Sequence, residues 1–251
     1  MKNRIIVLIL SVLLLTACTQ LTQMIQTASA VKELTEGDII AGLKEALTVG
    51  ARNAAARLAS ENGYYSDPQV RIPLPGEAKV IVENIGRIPG GDQLIENVIL
   101  SINRAAEGAA REVAPVFAGA VTRMTIADGY NILHGADNAA TEYLRSSTWN
   151  ELYSLYKPKI SASTEKEIVA GISAQQSWLA LTEKWNMVAG SVAGRLAGFN
   201  TVTTDLDDFL TTRALEGLFV KMADEELKIR KEVSARVTPL LQRVFGSLDG
   251  R

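Results

Sequence analysis

Three glutamates in this chain could act as acids or bases. Glu107 lies inside a predicted helix, and Glu225 and Glu226 stand side by side near the C-terminus. A carboxyl group transfers protons in catalysis when its surroundings hold its pKa near the working pH. A hydrolase that uses these glutamates is therefore one hypothesis, and it requires the three side chains to converge in one cleft.

Asn103, Arg104 and Glu107 predict polar groups inside the protein. They occur in the middle of a long predicted helix, where Asn103 and Glu107 share a face and Arg104 lies beside it. Buried polar groups need hydrogen-bond partners. We expect a structural network or a ligand site here, and Arg71, from a proline-rich loop, is a candidate for a further member.

Glu226 and Arg230 are four residues apart on a predicted helix, which is the spacing of an ordinary exposed ion pair. The alternative is a carboxylate site formed by Glu225 and Glu226 with Arg230. Three nearby acids, Asp205, Asp207 and Asp208, lack the spacing of a calcium loop and fit the capped first turn of a helix.

Several classes of site are excluded because His134 is the only histidine. Histidine-rich di-iron and zinc sites need at least two histidines, and His134 is predicted to lie at a helix end. Gly190, Gly194 and Gly198 repeat every four residues, which predicts one closely packed helix face rather than a phosphate loop. We assign no catalytic, cofactor-binding or metal-binding residue, and we expect no cofactor.

Cys18 is the only cysteine. Lys2 and Arg4 precede apolar runs that end in Leu15-Thr16-Ala17-Cys18, a pattern that resembles the lipobox of bacterial lipoproteins. The resemblance implies a signal peptide over residues 1–17 and acylation of Cys18, for which palmitate is the expected chain. Because Thr19 rather than Asp follows, it also implies an outer-membrane lipoprotein that faces the periplasm.

Cleavage before Cys18 would remove 17 of the 251 residues and would change the formal net charge from −2 to −4. Acidic and basic residues are interspersed, so no nucleic-acid partner is expected. We predict a tether over residues 18–34 and a single helical domain over residues 35–251. The expected partners are the membrane, through the acyl chains, and a protein of the envelope, while the oligomeric state is left open.

The apolar periodicity predicts an all-α, irregular bundle of about seven to nine helices without convincing strands. The predicted helices, with their caps and breaks, are Thr35 to about Ser60, Glu77 to about Ile88, Asp92 to about Val113, a segment to Met124, Thr125 to Gly135, Asp137 to Pro158, Thr164 to about Val188, Asp205 to about Val233, and Thr238 to Phe245. Residues 64–75 contain three prolines and predict an extended loop.

The order of several short motifs resembles the bacterial domain-of-unknown-function family 4197. These motifs are Gly42 to Leu47 (GLKEAL), Arg71 to Pro75 (RIPLP), Asn103 to Glu107 (NRAAE), Met124-Thr125, Ala139 to Tyr143 (AATEY), Asp205 to Asp208 (DLDD), Ala214 to Phe219 (ALEGLF), and Leu240 to Gly246. The resemblance implies an all-helical exported protein of unknown activity and transfers no catalytic residue.

Three functional hypotheses follow from the sequence. The leading one is a lipid-anchored, non-enzymatic interaction or envelope-maintenance module. The second is a carrier or sensor of an apolar or lipid ligand held between helices, because the chain is rich in aliphatic residues. The third is the hydrolase that uses Glu107, Glu225 or Glu226.

Overall fold

Helices form most of the protein in the computed structural model, which describes residues 33–85, 90–127, 129–169 and 171–250. Within these residues the α-helices are α1 (Glu36–Leu58), α2 (Lys79–Glu83), α3 (Gly91–Ala110), α4 (Val113–Arg123), α5 (Gly129–Leu133), α6 (Ala139–Thr164), α7 (Ala174–Gly190), α8 (Val192–Leu196), α9 (Leu206–Lys231) and α10 (Pro239–Gly246). Seven of them have eight or more residues. The predicted all-α irregular bundle is confirmed.

Helix α1 is the centre of the bundle. Ile39, Leu43 and Leu47 repeat at four-residue spacing and are buried, so one face of α1 is continuously apolar. Helices α4, α5, α9 and α10 pack against α1, while α6 joins α9 to α3 and α7 packs on α3. Gly42 allows α10 to approach closely, since a Cβ there would lie 2.7 Å from Cγ2 of Val244.

Two helix starts confirm their predicted caps. The side chain of Asp205 accepts hydrogen bonds from the backbone N–H groups of Asp207 and Asp208 at the start of α9. Thr238 accepts from the N–H of Leu241, and Pro239 is the first residue of α10. In both cases the acceptor lies within three residues of its donor, so the local sequence is sufficient to predict the cap.

The prediction that a helix ends at Pro158 is wrong, because α6 continues through Pro158 to Thr164. Beyond the proline, Ile160 is fully buried, and the hydroxyls of Ser161 and Thr164 donate to Asp207 of α9 at 2.6 and 2.7 Å. These tertiary contacts hold the last turn in place, although Pro158 has no N–H to donate.

Thr164 therefore ends a helix rather than beginning one. A short antiparallel hairpin of β1 (Glu167–Val169) and β2 (Ile172–Ser173) follows, which the sequence did not predict. Helix α7 begins only at Ala174, where Ser173 and Gln176 form a capping box.

Three other predicted starts are displaced. Helix α3 begins at Gly91 after Gly90, whose φ is 69°, so Asp92 is not its cap. Thr125 and the two residues after it are not helical, and α5 begins at Gly129. Helix α6 begins at Ala139 after Asn138, not at Asp137, and Asn138 makes no side-chain cap.

The helix predicted from Glu77 is a 3-10 turn over Gly76–Ala78 followed by α2, which ends at Glu83. Its predicted end, Ile88, lies outside the described residues. A second 3-10 turn covers Val233–Ala235.

The predicted glycine face is also wrong. Gly190 is the last residue of α7, Gly194 lies in α8, and Gly198 follows α8 with a φ of 72°. The three glycines thus lie on three different segments and do not share one helix face.

His134 directly follows α5, at a helix end as predicted, and its ring centroid lies 4.2 Å from that of Tyr130.

None of the helices in the described part of the chain is both long and apolar enough to span a bilayer. Cys18, the predicted signal peptide and the predicted tether up to residue 32 lie outside the described residues.

Candidate functional site

Asn103 joins helix α3 to the loop over residues 64–75. Its side chain is fully buried. Its Oδ1 accepts from the N–H of Ile72 at 2.9 Å, and its Nδ2 donates to the carbonyl of the same residue at 2.8 Å. Nδ2 also donates to the carbonyl of Ile99 at 2.7 Å. One amide side chain therefore satisfies both backbone groups of Ile72, as the backbone of a neighbouring strand would do in a sheet.

Glu107 holds the beginning of the same loop. Its Oε1 accepts from the N–H groups of Tyr64 and Tyr65, each at 3.2 Å. Its Oε2 accepts from Nη1 of Arg104 at 2.5 Å, and the guanidinium of Arg104 also donates to Asn62 at 2.9 Å. Asn103, Arg104 and Glu107 thus form a network that fixes the loop at two points.

A second network surrounds Glu226 and Arg230, and the expectation that they form an exposed pair is wrong. Their side chains are each 3% exposed, and Nη2 of Arg230 lies 2.7 Å from Oε1 of Glu226. Arg230 also donates to the carbonyls of Ile132 and Leu133, at the end of α5. Spacing on one helix could not show that α5 and α6 cover this face of α9.

Glu226 also replaces the missing cap of α6. Its two carboxylate oxygens accept from the N–H groups of Ala140 and Thr141 at 3.0 and 2.7 Å, and Thr141 adds its hydroxyl at 2.7 Å. A carboxylate is favourable at a helix N-terminus because the first N–H groups have no partner within the helix. This cap comes from another helix and was not predicted.

The three candidate glutamates do not share a site. Glu225 accepts from Lys228 at 2.5 Å and from Asn53 at 2.7 Å. Glu107 and Glu226 have different donors again, and no hydrogen-bond partner is common to any two of the three among the described residues. The arrangement suits structural roles and does not form an acid-base pair.

Arg71 lies outside the Asn103 network and lines a groove of about 350 Å³. We call this the arginine groove. It is formed by the loop, by Arg145 of α6 and by one face of α9, and the residues used below are Val70, Arg71, Arg145, Arg213, Gly217 and Val220. Arg145 and Arg213 were not predicted, because no spacing rule connects positions on three separate segments.

The loop lies directly on α9. The hydroxyl of buried Tyr64 donates to the carbonyl of Ala214 at 2.8 Å, and burial raises the pKa of this tyrosine well above its ordinary value. Gly217 makes the close approach possible, since a Cβ there would lie 2.8 Å from Cε1 of Tyr64 and 3.3 Å from Cβ of Val70. The loop that carries Arg71 is therefore held between α3 and α9.

Lys221 fixes the middle of the loop. Its side chain is 1% exposed, and Nζ lies 2.8 Å from Oδ2 of Asp67 and 2.5 Å from Oε1 of Gln69. Burial alone would raise the pKa of Asp67, but the hydrogen bond and charge of Lys221, with the charge of Arg57, hold that pKa below its ordinary value. The carboxylate is thus ionised at neutral pH and keeps Lys221 paired.

Each of the three arginines lies close to an aromatic ring, and for Arg213 the ring is that of Phe209, with Cζ 5.7 Å from its centroid. Cζ of Arg71 lies 4.7 Å from the ring centroid of Tyr65, and Cζ of Arg145 lies 5.4 Å from that of Trp149. These distances are those of cation-π contacts. Arg213 also forms an ion pair with Glu216 at 3.0 Å.

A second cleft, of about 840 Å³, is lined by Arg104, Arg111, Lys159 and three glutamates among other residues. The lining of this cleft is more polar than apolar, whereas a carrier of acyl chains needs a mostly apolar site. Among the described residues there is also no group of three histidine, cysteine, aspartate or glutamate side chains that could hold a metal ion.

A family model described as "Protein of unknown function (DUF4197)" matches residues 33–246. The chain belongs to the DUF4197 family. Three of the motifs that carry the resemblance, Arg71 to Pro75, Asn103 to Glu107 and Ala214 to Phe219, meet where the loop of this DUF4197 protein is held between α3 and α9. No curated protein and no solved structure matched the chain.

Proposed function

We propose that this DUF4197 protein is a lipid-anchored, non-enzymatic module of the cell envelope, held at the outer membrane through acylated Cys18 with its domain in the periplasm. The anchor rests on the resemblance of Leu15 to Cys18 to a lipobox. Acyl chains supply membrane affinity, since each buried CH2 contributes about 0.8 kcal/mol.

The proposal of a non-enzymatic role rests on one observation, which is that two of the candidate carboxylates are occupied by structural hydrogen bonds. Glu107 and Glu226 are buried, each is paired with its own arginine, and each accepts from two backbone N–H groups. A carboxylate held by an arginine and two backbone N–H groups is fixed in place and cannot move towards a substrate. The surface of the domain is then left to bind a partner of the envelope.

The anchor is tested by replacing Cys18→Ser and labelling cells with radioactive palmitate. The full chain should incorporate label and fractionate with the outer membrane, and the variant should lose both properties. Thr19→Asp is the matched control, because it keeps the cysteine: it should retain the label and move to the inner membrane. Outer-membrane fractionation of Cys18→Ser would refute the anchor.

The interaction role is tested by crosslinking in intact cells that express either the full chain or Cys18→Ser. A protein partner that depends on the anchor should be captured only with the acylated chain. Equal capture of the same proteins by both forms would contradict a role tied to the membrane.

A further inference from the structure

We propose that the arginine groove binds a phosphate group, carried by a lipid headgroup or by a soluble phosphomonoester. The proposal concerns the folded domain and does not depend on the anchor. It begins from charge: Arg71, Arg145 and Arg213 line the groove together with one carboxylate, Glu216, which is paired with Arg213. The remaining two positive charges stand out in a chain whose formal net charge is −2.

Two of the three groove arginines, Arg71 and Arg145, have guanidinium donors that are unused among the described residues. No N–H of the Arg71 or Arg145 guanidinium has an acceptor among the described residues, and neither side chain forms an ion pair there. Other buried or partly buried arginines of this fold, such as Arg104, Arg230 and Arg236, donate to a carboxylate. The two groove arginines are therefore held in place without being satisfied.

The aromatic contacts make this arrangement rigid before a ligand arrives. Tyr65, beneath Arg71, is itself fixed because its N–H donates to Glu107. Trp149, beside Arg145, packs against the buried ring of Phe219 with the centroids 6.0 Å apart. Side chains that are already ordered lose less entropy on binding, so each hydrogen bond to a ligand contributes more.

The number and origin of the donors favour phosphate over carboxylate. A planar carboxylate is satisfied by one guanidinium that binds it in a bidentate manner. A phosphomonoester instead offers three strong acceptor oxygens that point in different directions. The arginines come from the loop, α6 and α9 and can approach from different sides. A phosphomonoester also carries about −1.5 to −2 charges at neutral pH, which matches the two uncompensated positive charges.

The size of the groove limits what accompanies the phosphate. A volume of about 350 Å³ lies near the lower end of ligand sites in proteins. The side chains of Val70 and Val220 form apolar parts of the wall. These dimensions fit a phosphate with a short carbon skeleton, such as a glycerol phosphate unit.

The test is calorimetric titration of the purified full chain in a non-ionic detergent at constant ionic strength. The soluble probes are inorganic phosphate and glycerol 3-phosphate, with acetate as the carboxylate control. The lipid probe is phosphatidic acid in mixed micelles, with phosphatidylcholine as its control. Saturable binding of the soluble phosphates identifies a soluble source, and binding of phosphatidic acid alone identifies a headgroup. Either result supports the proposal.

Arg71→Gln and Arg145→Gln should each weaken phosphate binding at least about tenfold, as expected for loss of a charge-assisted hydrogen bond. Arg111→Gln is the matched control, because Arg111 also has no carboxylate partner among the described residues and lines the other cleft. Its affinity should change less than about twofold. Val220→Glu, at a side chain 39% exposed, should abolish binding while leaving the arginines in place.

Three results would overturn the proposal. One is the absence of binding by every phosphate probe, and another is acetate binding as tight as that of phosphate. The third is an equal loss of affinity in Arg111→Gln and in the two groove variants. The circular dichroism spectrum of each arginine variant should match that of the full chain, because Arg71, Arg111 and Arg145 are all at least partly exposed.

Discussion

Asn103 of α3 pairs with both backbone groups of Ile72, accepting from its N–H at 2.9 Å and donating to its carbonyl at 2.8 Å. The partner residue is separated from Asn103 by 31 positions and lies in a loop without regular structure. This pair determines where the next residue towards the N-terminus, Arg71, enters the arginine groove.

Asn103→Ala should destabilise the protein by about 2–4 kcal/mol, because two buried backbone groups of Ile72 lose their partners. Urea unfolding followed by circular dichroism measures the change. Asn150→Ala, at an exposed position of α6, is the control and should lie within about 0.5 kcal/mol of the full chain. A similar loss in both variants would contradict the role given to Asn103.

Glu226→Gln should cost about 3–5 kcal/mol of unfolding free energy, because it leaves the buried charge of Arg230 without a partner. Glu83→Gln breaks the exposed Lys79 pair and should cost less than about 0.5 kcal/mol.

A double replacement, Glu226→Leu with Arg230→Met, separates the two roles of Glu226. If the ion pair were its only role, two apolar side chains could restore stability. The N–H groups of Ala140 and Thr141 would remain without acceptors, and the carbonyls of Ile132 and Leu133 would lose the Arg230 donors. We therefore expect the double variant to stay well below the full chain in unfolding free energy. Full recovery would show that neither the cap of α6 nor the hydrogen bonds of Arg230 to the end of α5 contribute to stability.

Asp67→Asn should change the dependence of stability on pH. The folded pKa of Asp67 lies below its ordinary value of about 3.8. Its ionised form therefore stabilises the fold fully above that ordinary value, and this contribution is lost as the pH falls through the folded pKa. At pH 7 the free energy of unfolding of the full chain should exceed that of Asp67→Asn by about 1–3 kcal/mol.

This difference should narrow as the pH falls below about 4, and unfolding curves at several pH values measure it. A difference that is constant from neutral to acidic pH would mean that the charge of Asp67 contributes nothing.

Tyr156→Phe should stabilise the protein by about 1 kcal/mol, because the buried hydroxyl of Tyr156 has no hydrogen-bond partner among the described residues. Tyr64→Phe removes the same atom from another fully buried tyrosine, but that hydroxyl donates to Ala214. It should lose about 1 kcal/mol. Thermal unfolding of the two variants should therefore shift in opposite directions, and shifts of the same sign would contradict this assignment.

Local signals account for the parts of the fold that were predicted correctly. The caps Asp205 and Thr238 bind donors within three residues, and the apolar spacing of Ile39, Leu43 and Leu47 follows from the helical repeat. The incorrect predictions concern positions whose structure depends on contacts with residues far away in the sequence. Pro158 did not end α6, because contacts with Asp207 of another helix outweigh the missing N–H.

The candidate site shows the same division. Asn103 and Glu107 could be found in the sequence, because polar residues on an apolar helix face must have buried partners. The identity of those partners could not, since Ile72, Tyr64 and Tyr65 are loop residues bound through their backbone groups.

The sequence by itself determined the helical class, the family and the helix caps with nearby donors, since each depends on residues close together or in a fixed order. Only the tertiary structure decided that Glu226 caps α6 and that Arg71, Arg145 and Arg213 line one groove. The physical reason is that helical periodicity defines which face of a helix is apolar, whereas the packing of the whole chain selects the helix that covers it.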